Sequence, residues 1–420
     1  YNTAVGSNAG NAVTTGIRNT IVGALAGDAL TDADLNVVMG YNALSSDTLG
    51  SGAVAIGQGA LNTQNFTTAT TSYNVAVGYN AGGGTTTGVQ NTVIGGLAGD
   101  SLTDADFNTA VGMQALTADT LGSRSTAMGF FALGSQNFTT ATNTYNTAVG
   151  YSAGGAVTTG IQNTFFGGTT GQATTDADYN VAMGYGALYT NILGSKSTAI
   201  GVSALQNQNF TTATDSFNTA VGYTAGLAIT TGTSNTIIGA EAGNNITTGG
   251  GNFAAGYGSL TNETKGNSSI AIGSLALLSQ NFTTSTNAYN VAIGEQTGRN
   301  ITTGIQNTII GGLAGDALTD ADYNVAIGGN ALGANTVGSR SVAVGYGALT
   351  SHNPATAIDT YNTAVGMLAG ENVTTGTNNT IVGGLAGDAI TTGARNTLLG
   401  TAAGGALATT NSDNTFIGCS

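Results

Sequence analysis

The hexapeptide Tyr1-Asn2-Thr3-Ala4-Val5-Gly6 returns as YNTAVG at 145–150 and 361–366, as YNVAVG at 73–78, as FNTAVG at 217–222 and as YNVAIG at 289–294. Each copy begins 72 residues after the one before. A period held so strictly means that like units are stacked, each burying a face against the next. Inside the 72 residues the motif recurs in diluted form. Its closing glycines fall at 6, 23, 40 and 57, and the next at 78, so the spacing runs 17, 17, 17, 21. The chain therefore reads as one continuous β-solenoid spanning 1–420, with repeats 1–72, 73–144, 145–216, 217–288, 289–360 and a partial 361–420. Together these make 24 rungs, the last closing at Gly418.

Seventeen residues are too few for two helices and their turns. The segments are rich in β-branched residues and bounded by Gly, Asn, Asp and Thr, the pattern of short strands joined by tight turns. The expected fold is all-β, a parallel β-solenoid with one coil per rung, about 110–115 Å long at ~4.8 Å per rung. Four residues before the closing glycine stands Asn in 19 of the 24 rungs. Asn above Asn can bond its amide along the stack and can hold a left-handed backbone corner. Composition agrees. There are 68 Gly and one Pro, and 7% of residues are charged against ~25% in ordinary globular chains. At 40% hydrophobic, the chain is too apolar for a disordered low-complexity segment.

Neighbouring strand residues face opposite sides. In Thr20-Ile21-Val22-Gly23 both Ile21 and Val22 are apolar, so one faces the coil interior and the other needs a partner outside it. An apolar stripe along a whole particle is not left to water, so coils packed about a common axis, as a homotrimer, are expected. Here the residues resemble a known family. Ser197-Thr198-Ala199-Ile200-Gly201, Ser269-Ile270-Ala271-Ile272-Gly273 and Ser341-Val342-Ala343-Val344-Gly345 resemble the S-V-A-I-G motif of trimeric autotransporter adhesin heads, the YadA-like β-roll. The longer Asn-Thr-Ala-Val-Gly, Ala, Thr-Thr-Gly pattern is similar to the 17-residue repeats of bacterial and phage tail-fibre proteins that carry an endosialidase-type chaperone. The resemblance implies a left-handed parallel β-roll assembled as a homotrimer in an extracellular fibre at a cell surface or on a virion. It covers essentially the whole chain, but no chaperone, coiled-coil stalk or membrane anchor stands within it.

Chemistry is sparse. The one histidine, His352, sits in Ser351-His352-Asn353-Pro354, where the fifth repeat departs from its siblings. It reads as a loop variant, since a catalytic site needs partners. The single Cys419 excludes an internal disulfide framework. The net charge of −14 comes with no cluster of Lys and Arg, so nucleic acid is not an expected partner. No stretch is apolar enough for a membrane span, and no signal peptide opens the chain. Thr31–Asp34, Thr103–Asp106, Thr175–Asp178 and Thr319–Asp322 read as Asp turns rather than calcium sites, because Asp commonly bonds its own turn backbone. No catalytic, cofactor or metal residue is assigned. The 21-residue rungs bulge, and four bring Phe66, Phe138, Phe210 and Phe282. These rings are the expected contacts to a surface glycan, a protein receptor or a neighbouring fibre, although they could instead cover their own turns. The Asn-Phe-Thr triplets there are formal glycosylation sequons produced by repetition. The leading expectation is a non-enzymatic shaft or head of a surface adhesin or tail fibre that mediates attachment. The alternatives are an ice- or crystal-binding solenoid, since Thr recurs in one column on 16 rungs, and a self-assembling matrix filament.

Overall fold

The computed structural model describes residues 1–419 and divides into two compact units, Tyr1–Asp215 and Ser216 onward. Each unit is a parallel β-solenoid. The first carries twelve three-residue strands from Thr3–Val5 to Thr198–Ile200, the second twelve from Thr219–Val221 to Thr415–Ile417. Successive strands pair in exact sequence register, Thr3 with Thr20, Ala4 with Ile21, Val5 with Val22, then Thr20 with Val37. Among the described residues there is no helix.

Each strand turns one residue inward, its centre. Ala110, Ala127, Ile237 and Ala271 are fully buried while their strand neighbours are part-exposed or exposed. The closing glycine then bends the chain at φ near +135°, as at Gly6 (137°) and Gly23 (132°). A side chain is excluded there for a second reason. A Cβ on Gly6 would stand 2.5 Å from the Gly23 carbonyl oxygen of the next coil, and one on Gly23 would meet Gly40 in the same way.

Within the four residues after this bend the backbone enters the left-handed region at two positions of nearly every coil. The second holds Gly in the first two coils of a repeat and Leu in the third and fourth: Gly82 (59°), Gly99 (52°), Leu116 (53°), Leu133 (48°). The alternation answers the strand centre. The second coil centres on Ile21, Val93, Phe165, Ile237, Ile309 or Ile381, and these side chains occupy the space that a Cβ on the facing glycines would need. A Cβ on Gly10 would lie 2.8 Å from Ile21, one on Gly99 2.8 Å from Val93, and one on Gly154 2.8 Å from Phe165. Where the centre is Ala, as at Ala110 and Ala127, the Leu of the turn (Leu116, Leu133) fills the coil instead. The sixth repeat makes the exchange directly. Its third coil centres on Leu398, and the turn residue there is Gly404 rather than Leu. A left-handed leucine costs about 1–2 kcal/mol, and its full burial returns about 1.5–3 kcal/mol, so packing decides the conformation.

The Asn column is the polar spine. Asn108 donates its Nδ2–H to the Gly122 carbonyl at 2.9 Å, and its Oδ1 accepts the Ser125 amide at 2.8 Å; its own amide is bonded by Asn91 Oδ1 at 2.9 Å. The same three bonds recur along both units, for example at Asn19, Asn163, Asn307 and Asn379. The left-handed corner expected of these asparagines lies one residue earlier, at Arg18 (60°), Tyr73 (49°) and Tyr145 (52°). The Asn side chain ties the corner down rather than forming it.

Replacing Asn108 with Ala strands the Ser125 amide and the Gly122 carbonyl in the interior. At about 1–3 kcal/mol each, the coils around 109–129 should lose about 2–5 kcal/mol of local stability, seen as faster native-state amide exchange. Asn108→Asp keeps the acceptor but turns a buried carboxylate oxygen toward the Gly122 carbonyl, and should lose at least as much at pH 7.

Candidate interaction surface

The 21-residue coils contain a second polar core. Seven residues after the closing glycine, where other coils place Val, Leu, Ile or Thr, the third coil carries Asp47, Asp119, Asn191, Glu263 or Asn335, and the fourth carries Gln64, Gln136, Gln208, Gln280 or His352. All ten are fully buried. Gln64 donates to Asp47 Oδ2 at 2.6 Å, and Gln280 donates to Glu263 Oε2 at 2.8 Å. Asn74 of the following coil donates to Gln64 Oε1 at 2.8 Å. This pair bridges the spine where it is interrupted, because the fourth coil carries Ala53 or Ser125 in the Asn column. The other Asp47 oxygen accepts the Gly50 and Phe66 amides at 3.1 and 3.0 Å, which closes the mouth of the long loop. Burial pushes the Asp47 carboxyl above its ordinary range, opposed by the bonds from Gln64, Phe66 and Gly50.

This core redirects the loop aromatics. Phe66, Phe138, Phe210 and Phe282 are only 5–6% exposed. Their rings lie over glycines of the preceding coil: a Cβ on Gly50, Gly194 or Gly266 would come within 2.8 Å of the respective ring. The expectation that these four rings reach outward is therefore corrected. They cover their own coil, and the exposed part of the loop is Thr67, Thr68, Ala69 and their equivalents. Pro354 fills the same slot over Gly338 in the fifth repeat.

The outward apolar surface lies on the strands and the residues flanking them instead. Residues five before, one before and one after the closing glycine share the outer side of each unit. The first column presents Leu35, Tyr73, Phe107, Tyr145 and Tyr179, then Phe217, Tyr289, Tyr323 and Tyr361. The second presents Met39, Ile94, Met128, Phe166, Met183 and Ile238, and the third Tyr41, Tyr79, Met113, Phe130, Tyr151, Tyr185, Tyr223, Tyr257 and Tyr346. Tyr73 and Tyr185 are more than 60% exposed. Adjacent coils stack some of these rings, as with Phe130 and Tyr151 at 5.5 Å, and lay cations over others, as with Arg124 over Phe107 at 4.7 Å and Arg340 over Tyr323 at 4.6 Å. Tyr73, Phe107 and Tyr145 hold φ between 49° and 60° while exposing their rings, so no burial within their own unit offsets that conformation. Strand alternation announced one apolar outer column; the two aromatic columns lie outside the strands, where alternation is silent.

Other candidates are occupied internally. In the Asp turns, Asp32 accepts from the Thr15 hydroxyl, and Asp34, Asp106, Asp178 and Asp322 accept the amides of Ile17, Val89, Ile161 and Ile305 at 2.7–2.8 Å. No group of three or more metal-ligating side chains exists among the described residues, and no helix there is long and apolar enough to cross a membrane. Cys419 is exposed, and His352 is inside the coil. No protein-family model and no characterised protein matches the chain, so the likeness to fibre repeats rests on the residues themselves.

Phe66→Ala should cost about 3–5 kcal/mol of local stability, measurable as lost protection of the coil it covers. Asp47→Asn, the residue type that the third and fifth repeats already carry, should fold with an equal or higher melting temperature at pH 7. Because the carboxyl is raised in the folded chain, its destabilising effect grows as pH rises above the ordinary carboxylate range. The advantage of the asparagine should therefore shrink as pH falls toward 4.

Proposed function

We propose that this chain is a non-enzymatic shaft or head segment of an extracellular fibre, assembled as an in-register parallel homotrimer and serving attachment. The observation that carries the reading is the outer face, where the column one before the closing glycine is apolar on every coil and exposed aromatic rings of the two flanking columns recur on about every second coil of each unit. A continuous stripe of this kind favours burial over exposure. A second copy of the same chain offers the same ~4.8 Å coil spacing, so its columns meet like columns coil by coil. Left-handed winding about a shared axis, as in the adhesin heads and tail fibres that the motifs resemble, fits this arrangement. Attachment to a glycan or protein receptor would then fall to surfaces outside the shared face. The alternative ice-binding reading draws less support. The recurring Thr column donates its hydroxyls to the next coil, Thr31 to the Thr48 carbonyl at 3.0 Å, Thr103 to Thr120 at 3.0 Å and Thr319 to Thr336 at 3.1 Å.

The test is mass and its dependence on the outer face. Sedimentation should give three times the chain mass. Met39→Lys together with Met183→Lys should yield folded monomer, since both side chains are exposed within one chain but would place an unpaired charge inside the trimer, at several kcal/mol per copy. A native chain that sediments as a monomer at micromolar concentration would overturn the assembly. A trimer indifferent to both lysines would move it to another face.

A further inference from the structure

His352 stands where the four sibling repeats place Gln, and neither of its ring nitrogens bonds a side chain inside a fully buried site, the Thr374 backbone being the one polar group that reaches the ring. The sibling glutamines receive three kinds of contact: the acid or amide of the preceding coil, the serine of the Asn column, and an Asn of the next coil. Gln136 makes all three, to Asp119 at 2.5 Å, Ser125 at 2.8 Å and Asn146 at 2.9 Å. In the fifth repeat the equivalent residues keep only the contacts that the second repeat makes besides those to Gln136, as Asp119 does with Gly122, Ser125 with Thr144 and Asn146 with Gly160. Asn335 bonds Gly338 twice at 2.8 Å, Ser341 pairs with Thr360 at 2.5 Å, and Asn362 donates to the Gly376 carbonyl at 2.7 Å. Pro354 also removes the amide that Phe66, Phe138 and Phe282 each donate to the buried carboxylate. The mouth of this loop therefore has fewer ties than its siblings, and an imidazole with no side-chain acceptor.

We propose that the long coil of the fifth repeat is an acid-release point: protonation of His352 expels its ring and frees the 353–359 loop, while the Gln-bridged long coils stay closed. A charged imidazole carries two N–H donors and a charge, and burying it without a counterion is unfavourable by several kcal/mol. None of Asn335, Ser341, Asn362 or Thr374 is titratable. The charged groups on the adjoining segments, the exposed Arg340–Asp359 pair at 2.9 Å and Glu371, whose backbone carbonyl accepts the Ser351 amide, make no hydrogen bond to the ring. Burial holds the imidazole down to about 4 from 6.5, with the Thr374 backbone opposing. Because the released state binds the proton more readily, loop stability is constant above neutrality and declines as pH falls from 6.5 toward 4. Asp47 changes stability in the opposite sense over acid pH, which makes the first repeat an internal control.

The chain has a single histidine, so its imidazole resonances report on this site alone. Amide exchange over 350–360, corrected for intrinsic rates, should be roughly 20-fold faster at pH 5 than at pH 7 by linkage, with no acceleration in the loops after Gln64 and Gln136. His352→Gln should abolish the acceleration. Gln208→His, whose site faces the neutral Asn191 as His352 faces Asn335, should transfer acid sensitivity to the third repeat, and that variant decides the matter if His352→Gln does not fold. An imidazole that titrates near 6.5 with the loop still protected, acid acceleration that persists in His352→Gln, or a Gln208→His loop as acid-stable as its parent would each overturn the proposal.

Discussion

A coil of seventeen residues with one three-residue strand leaves most of its backbone outside any ladder, and each unpaired buried amide or carbonyl costs about 1–3 kcal/mol. Everything else in these units depends on how that need is met. Backbone bonds between coils, such as the Gly10 amide to the Ala26 carbonyl at 2.9 Å, meet most of it, and the asparagine column completes it by reaching along the stack: one carboxamide satisfies a carbonyl of the next turn and the amide at the head of the next strand. Coil spacing, strand register and corner position follow, since the side chain has one length and both partners must sit within its reach. Glutamine would be a methylene too long, and aspartate would lack the donor.

The long coils show how the spine survives an insertion. Four added residues push the backbone outward, and the fourth coil gives up its asparagine. A buried acid or amide with Gln above it carries the bonds across the gap, and Phe or Pro plugs the opening. The insertion is thus bound into the core at its base, while only its threonine-rich tip meets solvent. Surface ion pairs such as Lys196 with Asp215 at 2.6 Å sit nearby, but exposed pairs of this kind add little.

Much of this was legible in the amino acids. The period, the coil number and the strand positions follow from spacing and alternation alone, whereas which of two adjacent apolar residues, such as Ile21 and Val22, turns inward is settled by the coil. The loop phenylalanines were not legible, because alternation says nothing once the chain leaves the strand, and a Phe beside Thr and Asn looks the same whether the loop folds over it or not. Gln64 and Asp47 were hidden for a related reason: polar residues in a turn read as solvated, and only the stacked coils bring them into one dry column. The left-handed corner was placed one residue late since Asn is its usual occupant, whereas here Tyr, Arg and Gln hold it under tertiary constraint.

The exchange of volume between strand centre and turn gives the stack a grain. A second-type coil, with Ile or Phe at its centre, fits between glycines and overfills the space beside Leu133 or Leu205; a Leu-bearing coil set between two Ala centres without that rhythm leaves or crowds a void. Moving one coil along the chain therefore spoils two interfaces, whereas moving four restores every one. The heritable module is the quartet, and chains of this kind can lengthen or shorten by recombination in steps of 72 residues with no adjustment of the interior.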